Sequence, residues 1–104
     1  MPVQEIEELK SCFVEQLMPL KVYLFGSYAN GTQTEDSDLD FYIVVKDEVV
    51  DLANLTAQAH KAIRKIKKRP VDILIGTHSY FETKKFVPSV ENEVYQKGVL
   101  LYGI

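Results

Sequence analysis

The sequence predicts an α/β (α+β) domain in which a mixed β-sheet is covered by helices packed mainly on one face. Short apolar segments rich in strand-forming residues alternate with segments of helical periodicity, in the order α-β-β-α-β-α-β. The chain has 104 residues, which is the length of one domain. No repeat, low-complexity stretch or Ser/Pro-rich linker divides it, so we expect a single domain over residues 1–104.

Two helices have clear apolar periodicity. The first is predicted over residues 4–17 and ends at Met18-Pro19, because proline lacks an amide hydrogen and restricts the residue before it. The second is predicted over residues 51–68. Their apolar stripes are Ile6, Leu9, Phe13 and Leu17, and Leu52, Leu55, Ala59, Ile63 and Ile66. Shorter helices are expected from Tyr80 and over residues 90–97.

Four segments predict strands, and a polar stretch predicts a loop. The strands are expected over residues 20–25, 39–45, 71–75 and 99–102, where apolar and β-branched residues are concentrated. Residues 30–37 are polar and include Gly, Asn, Asp and Ser, so they predict a loop between the first two strands.

Composition excludes several classes of protein. Apolar residues make up 46% and charged residues 26%, as in ordinary globular domains. No apolar run reaches the roughly 18–20 residues that span a bilayer, so no membrane role is expected. The net charge of −3 argues against direct binding of nucleic acid. One cysteine, Cys12, and a start without an apolar signal core favour a cytoplasmic location.

A Gly-Ser pair follows the first predicted strand. Gly26 lets the backbone approach a ligand closely, because it has no Cβ, and Ser27 can donate its hydroxyl to a phosphate. A helical turn starting there would direct free N–H groups at an anion. Gly and Ser are also common in ordinary turns, so the pair alone does not indicate a phosphate site.

Three aspartates strengthen the hypothesis of a phosphate-binding site. Asp38 and Asp40 are two apart at the start of a strand, so their side chains point to the same face and repel each other unless a cation lies between them. Asp72 lies among large apolar residues of the third strand, where a charge is costly unless it is paired or bound. Asp72 could instead reach water or pair with a distant base such as Arg69.

Neighbouring strands would bring these carboxylates together. Adjacent strands lie about 4.8 Å apart, so an aspartate on one can meet the Asp38/Asp40 face of the next. Three converging carboxylates can hold two cations about 3.5–4 Å apart, which suits in-line attack on phosphorus. The sequence therefore predicts a catalytic and metal-binding site at Asp38, Asp40 and Asp72, beside the turn at Gly26 and Ser27.

The motif resembles that of a known superfamily. Gly26-Ser27, ten intervening residues and Asp38-Leu39-Asp40 match the signature of the polymerase-β-like nucleotidyltransferases, and the length is similar to that of the minimal nucleotidyltransferases. The resemblance covers residues 20–103 and implies a nucleotidyltransferase fold. Many relatives carry Arg where this chain has Asn30, which supplies no cation to a triphosphate.

The resemblance also implies roles for these residues. Gly26 and Ser27 would bind the β- and γ-phosphates of a nucleoside triphosphate, usually ATP. Asp38 and Asp40 would bind two Mg²⁺ ions, and Asp72 would bind the catalytic ion and help to deprotonate the acceptor hydroxyl.

The family also implies a partner. Minimal nucleotidyltransferases are often antitoxins that transfer AMP to a tyrosine of a HEPN-domain ribonuclease toxin. We therefore expect an enzyme that modifies a protein hydroxyl within a toxin–antitoxin pair made of a HEPN-domain toxin and a minimal nucleotidyltransferase (HEPN/MNT). Two alternatives stay open: a catalytically silent module that neutralises its partner by complex formation, or an enzyme acting on a small hydroxylated molecule, for which a homodimer could build the acceptor pocket.

Overall fold

The computed structural model describes residues 2–34 and 37–103. Residues 35 and 36 of the predicted loop over residues 30–37 lie outside the described residues. The elements are α1 (Val3–Leu17), β1 (Lys21–Phe25), α2 (Ser27–Asn30), β2 (Leu39–Val45), α3 (Leu52–Ile63), β3 (Val71–Thr77), α4 (His78–Lys84), α5 (Val90–Lys97) and β4 (Val99–Tyr102).

The strands form one mixed sheet in the order β3-β2-β1-β4. Strand β1 pairs antiparallel with both β2 and β4, whereas β2 and β3 are parallel. The parallel pair needs a crossover connection, which α3 supplies. The predicted fold class, an α/β (α+β) domain with a mixed sheet, is therefore confirmed.

One face of the sheet carries the larger core. Alternate residues of β1, β2 and β3 point to this face and are covered by the two long helices, α1 and α3. The ring of Phe13 in α1 meets that of Phe41 in β2 edge to face, with 5.1 Å between centroids. Ala59 and Ile63 contribute the α3 side of the contact and are fully buried. The apolar stripes of the sequence thus mark the helix faces that pack on the sheet.

The opposite face of the sheet carries a smaller aromatic core. Tyr42 of β2 packs against Phe81 of α4, with 5.4 Å between ring centroids. The Tyr42 hydroxyl is buried and donates a hydrogen bond to Glu91 Oε2 of α5 at 2.7 Å. Since Asp40 precedes Tyr42 by two residues in β2, Asp40 points to this face as well.

Three element boundaries differ from the predictions by two residues or more: the ends of α3 and β3, and the start of α4, which begins at His78 instead of Tyr80. The helix expected over residues 51–68 ends at Ile63, and the amide of Ile66 donates to the Ile63 carbonyl at 2.9 Å in a tight turn. The chain must turn there because Pro70 precedes β3, which has to run beside β2. Strand β3 continues to Thr77 through Gly76, where a Cβ would overlap the Tyr42 hydroxyl.

Of the helices that residues 2–34 and 37–103 form, none combines the length and apolar character that crossing a bilayer requires.

Met18 closes α1 in a strained conformation, which generates a stability prediction. Its φ and ψ are 47° and 57°, a left-handed conformation that costs non-glycine residues roughly 1–2 kcal/mol. The side chain is 83% exposed, so it contributes little packing. We expect Met18→Gly to raise the free energy of unfolding by about 0.5 kcal/mol, because glycine's greater freedom in the unfolded chain offsets part of the relief. Urea denaturation measures the change.

The control for this substitution is Met18→Ala, which keeps a Cβ and should change stability by no more than about 0.5 kcal/mol in either direction. A Met18→Gly protein that is no more stable than Met18→Ala would show that the left-handed cap carries no strain.

Candidate active site

The predicted site residues meet at one end of the sheet. The last residue of β1, Phe25, lies opposite Asp40, so the Gly-Ser turn begins where β2 begins. Because β3 runs parallel to β2, its first residues lie at the same end, and Asp40 is the register partner of Asp72. The structure thus places Gly26, Ser27, Asp40 and Asp72 side by side.

Gly26 is required at the turn for steric reasons. Its φ of 77° and ψ of −153° are accessible in practice to glycine alone. A Cβ at this position would overlap Oδ2 of Asp40. Ser27 then begins α2, a helix of four residues that ends at Asn30, whose side chain is exposed. The amides of Ala29 and Asn30 donate to the Gly26 carbonyl at 3.1 and 3.0 Å, so the first turn of this helix starts directly at the end of β1.

Asp40 is the electrostatic centre of the site. Burial, the interaction with the Asp72 carboxyl, and the charges of Asp38 and Glu93 together raise the pKa of Asp40 from 3.8 to about 6. Burial is the largest of these causes, and hydrogen bonding with Asp72 is the second. Asp38 lies just before β2 and contributes its charge from there. Two of the three predicted carboxylates, Asp38 and Asp72, therefore act on the third.

Asp72 differs from its predicted surroundings. The apolar neighbours suggested burial, but Asp72 is exposed, and Leu74 on the same side is 42% exposed. In the sheet that the described residues form, β3 lies at the edge, so its outer side is open. Arg69, the alternative partner, instead pairs with Glu5, with 3.0 Å between Nε and Oε1. Asp72 is accordingly free to meet a ligand or a second protein.

Two features of the site were not predicted. Glu93 of α5 adds a fourth carboxylate whose charge reaches Asp40. The Tyr28 hydroxyl behind the Gly-Ser turn accepts a hydrogen bond from Nη1 of Arg69. No sequence spacing could have indicated either contact, because both join segments that are distant in the chain.

The carboxylates suit a magnesium ion in their chemistry. Mg²⁺ prefers oxygen ligands and is usually held by one or two carboxylates together with substrate phosphates. Asp40 and Asp72 supply such a pair, and their mutual repulsion is what a cation would relieve. As the side chains stand, no three His, Cys, Asp or Glu residues among positions 2–34 and 37–103 are grouped closely enough to hold a metal by themselves.

Comparison with known proteins now decides the family. A family model described as a nucleotidyltransferase domain matches residues 6–101. The chain belongs to the nucleotidyltransferase family. The resemblance seen in the Gly26-Ser27 and Asp38-Leu39-Asp40 motif is confirmed.

Two relatives of this nucleotidyltransferase come from Methanocaldococcus jannaschii, and both are named as candidate protein adenylyltransferases. MJ0141 is 40% identical over 77 residues, which cover 69% of this chain and 72% of the relative. MJ0604 is 32% identical over 85 residues, which cover 79% of this chain and 77% of the relative.

Solved structures share the fold of this nucleotidyltransferase. A toxin–antitoxin crystallised with AMP-PNP superposes with a TM-score of 0.61 at 23% identity, over 100% of this chain and 75% of that chain. A mutant of the toxin–antitoxin MntA–HpeT gives a TM-score of 0.61 at 20% identity, over 94% and 73% of the two chains. At these identities the likeness shows a common fold.

The raised pKa of Asp40 predicts how stability depends on pH. The folded protein holds the proton of Asp40 more tightly than the unfolded chain does. The stability that this proton contributes is therefore fully present below about pH 3.8 and is lost as the pH rises through about 6. Asp40→Asn stays uncharged. In metal-free buffer at about pH 8 we expect it to be more stable than wild type by about 1 kcal/mol, a value discounted for solvent screening of a half-buried group.

Urea unfolding with a chelator at about pH 8 and about pH 4 measures this difference, which should vanish at the lower pH. Glu93→Gln is the control and should give a smaller gain, because the charge of Glu93 is the smallest of the causes that raise the pKa of Asp40. A loss of stability in Asp40→Asn at the higher pH would contradict the assignment of repulsion to this residue.

The close approach of Gly26 and Asp40 predicts a second effect. We expect Gly26→Ala to lower the free energy of unfolding by about 3 kcal/mol, because the backbone conformation is strained for alanine and the new Cβ meets Asp40. Gly31→Ala is a matched control, since Gly31 also has a positive φ of 75° but has no atom near its Cβ position. Its cost should be about 1 kcal/mol. Equal losses in the two variants, measured by thermal unfolding, would mean that contact with Asp40 is unimportant.

Proposed function

We propose that this nucleotidyltransferase transfers AMP from ATP to a hydroxyl of a partner protein in a magnesium-dependent reaction. The acceptor we propose is a tyrosine of a HEPN-domain toxin, for which this chain is the antitoxin. The observation that carries the proposal is the in-register pair Asp40 and Asp72, with the Gly26 backbone against Asp40. A phosphate-binding turn and an open carboxylate then lie on either side of one reacting centre.

Each site residue has a role in this scheme. The backbone N–H groups after Gly26 and the Ser27 hydroxyl bind the β- and γ-phosphates, as donors at a helix start do. Asp38, Asp40 and Asp72 are the residues that would hold Mg²⁺ together with the triphosphate. Bound there, Mg²⁺ would supply charge neutralisation of the triphosphate and a lower pKa for the acceptor hydroxyl.

The transfer is a single displacement at the α-phosphorus of ATP. The acceptor oxygen forms a bond to this phosphorus, and the bond to the oxygen that bridges to the β-phosphate breaks. Pyrophosphate leaves, and the hydroxyl proton passes to the carboxylate of Asp72. Asp72 suits this role because it is exposed at the sheet edge, where a hydroxyl on a large partner can reach it.

The surroundings of Asp72 support a protein as the acceptor. Leu74 and Tyr80, on the side of β3 beyond Asp72, are 42% and 51% exposed. Within the described residues no element covers this edge of the sheet, so it is open to an acceptor that another molecule presents. The names of the two archaeal relatives and the toxin–antitoxin neighbours support a protein partner of this kind.

Mass spectrometry of the partner tests the proposal. After incubation with ATP and Mg²⁺, a HEPN-domain protein encoded beside this chain should gain the mass of one or more AMP groups on tyrosine. Asp40→Asn should slow the transfer at least about a hundredfold, because it removes an ionised metal ligand. Glu48→Gln, an exposed carboxylate beyond the far end of β2, is the matched control and should transfer at the wild-type rate.

Three outcomes would contradict the proposal. Full neutralisation of the partner by the Asp38→Asn/Asp40→Asn variant would favour a silent binding module. Transfer of AMP to a small hydroxylated molecule, without any partner protein, would favour an enzyme that acts on small molecules. Undiminished transfer in the presence of a chelator would exclude the magnesium requirement.

A further inference from the structure

We propose that Arg69 is a positioning residue that holds the phosphate-binding turn in register with the strand carrying Asp72, through Tyr28 on one side and Glu5 on the other. The inference rests on the proposed function, since it concerns the turn that would bind the triphosphate. It assigns a task to three residues that belong neither to the Gly-Ser motif nor to the carboxylates.

The buried carboxylate of Glu5 anchors the arrangement. Glu5 is only 6% exposed, and burying a charge there is costly unless it is paired and hydrogen-bonded. Both of its oxygens are used: Oε1 accepts from Nε of Arg69 at 3.0 Å, and Oε2 accepts from the Lys68 amide at 3.0 Å. Glu5 therefore fixes both the backbone and the side chain at the entrance to β3.

The other end of the arginine reaches the turn. Nη1 of Arg69 donates to the hydroxyl of Tyr28, and the guanidinium carbon lies 5.7 Å from the centroid of the Tyr28 ring. Tyr28 is buried and directly follows Ser27. Helix α2 has four residues, too few for a helix to hold itself, so its orientation depends on what its side chains contact. Tyr28 is the buried residue of that helix.

The backbone at Arg69 connects the contact between Arg69 and Tyr28 to the strands that carry Asp40 and Asp72. Pro70 follows Arg69, and the Pro70 carbonyl accepts from the Leu39 amide of β2 at 3.1 Å. Asp72 lies three residues after Arg69, and Asp40 directly follows Leu39. The planar guanidinium can serve Glu5 and Tyr28 at once because its donors diverge in a fixed fork. A shift of the turn is thus resisted by the same segment that places the two aspartates.

The Tyr28→Phe variant tests the inference, because it removes the hydroxyl and keeps the buried ring. Calorimetry with Mg²⁺ compares the dissociation constants of ATP and AMP. AMP lacks the β- and γ-phosphates that the turn would bind. We expect the dissociation constant of ATP to rise about tenfold and that of AMP to stay within about twofold, since the net contribution of one hydrogen bond corresponds to a factor of up to about ten.

A second set of variants separates positioning from general stability. Val45→Ala opens a cavity at the far end of β2 and should lower the melting temperature without changing the ratio of the two dissociation constants. Glu5→Gln/Arg69→Gln removes both charges together and leaves no buried ion unpaired. Adding Tyr28→Phe to it should cause no further loss of ATP affinity, because the hydroxyl then has no arginine to hold it.

Failure of this inference and failure of the proposed function would give different experimental results. If Tyr28→Phe leaves the ratio of ATP to AMP affinity at the wild-type value, or moves it no more than Val45→Ala does, the inference is overturned while AMP transfer stands. Wild-type protein that transfers no AMP but binds ATP in a Tyr28-dependent manner would overturn the proposed function and support the inference. Wild-type protein that binds ATP no more tightly than AMP would overturn both.

Discussion

The parallel pairing of β2 with β3 is the constraint on which the site depends. These two strands are connected through α3, and their register sets Asp40 opposite Asp72. A slip of one residue would send one aspartate to the face covered by α1 and α3, where it would meet a closed apolar core. The same register brings Phe41 opposite Ile73 on that face, so burial of the core and alignment of the carboxylates are fixed by one set of backbone hydrogen bonds.

The site opposes folding electrostatically, and the rest of the fold has to compensate for it. Three other carboxylates act on Asp40, and burial already disfavours its charged form. Among residues 2–34 and 37–103, no basic side chain belongs to the groups that shift the pKa of Asp40. The one arginine nearby in sequence is held by Glu5 and Tyr28, away from Asp72. Cation binding would therefore relieve this repulsion. The same repulsion that lowers the stability of the unbound protein would raise its affinity for a cation.

Much of the fold was predictable from the sequence because its signals are local. The spacing of Ile6, Leu9 and Phe13, and the run of apolar residues from Leu39, determine elements whose bounds agree with the structure closely. The end of α3 was not predictable, because apolar periodicity continues to Ile66 while the chain has to turn into β3. The exposure of Asp72 was also missed, since it follows from the position of β3 at the sheet edge and not from its neighbours in sequence.

The two faces of the sheet divide stability and chemistry between them. The face under α1 and α3 holds most of the fully buried side chains, so it supplies most of the apolar burial. The other face is covered only in part by α4 and α5, and the carboxylates occupy its open end beside β3. Arg69 joins Glu5 of α1 to Tyr28 of α2, and Tyr28 belongs to the core under α1 and α3. The orientation of α2 is therefore set by its buried Tyr28, because a helix of four residues is too short to hold itself.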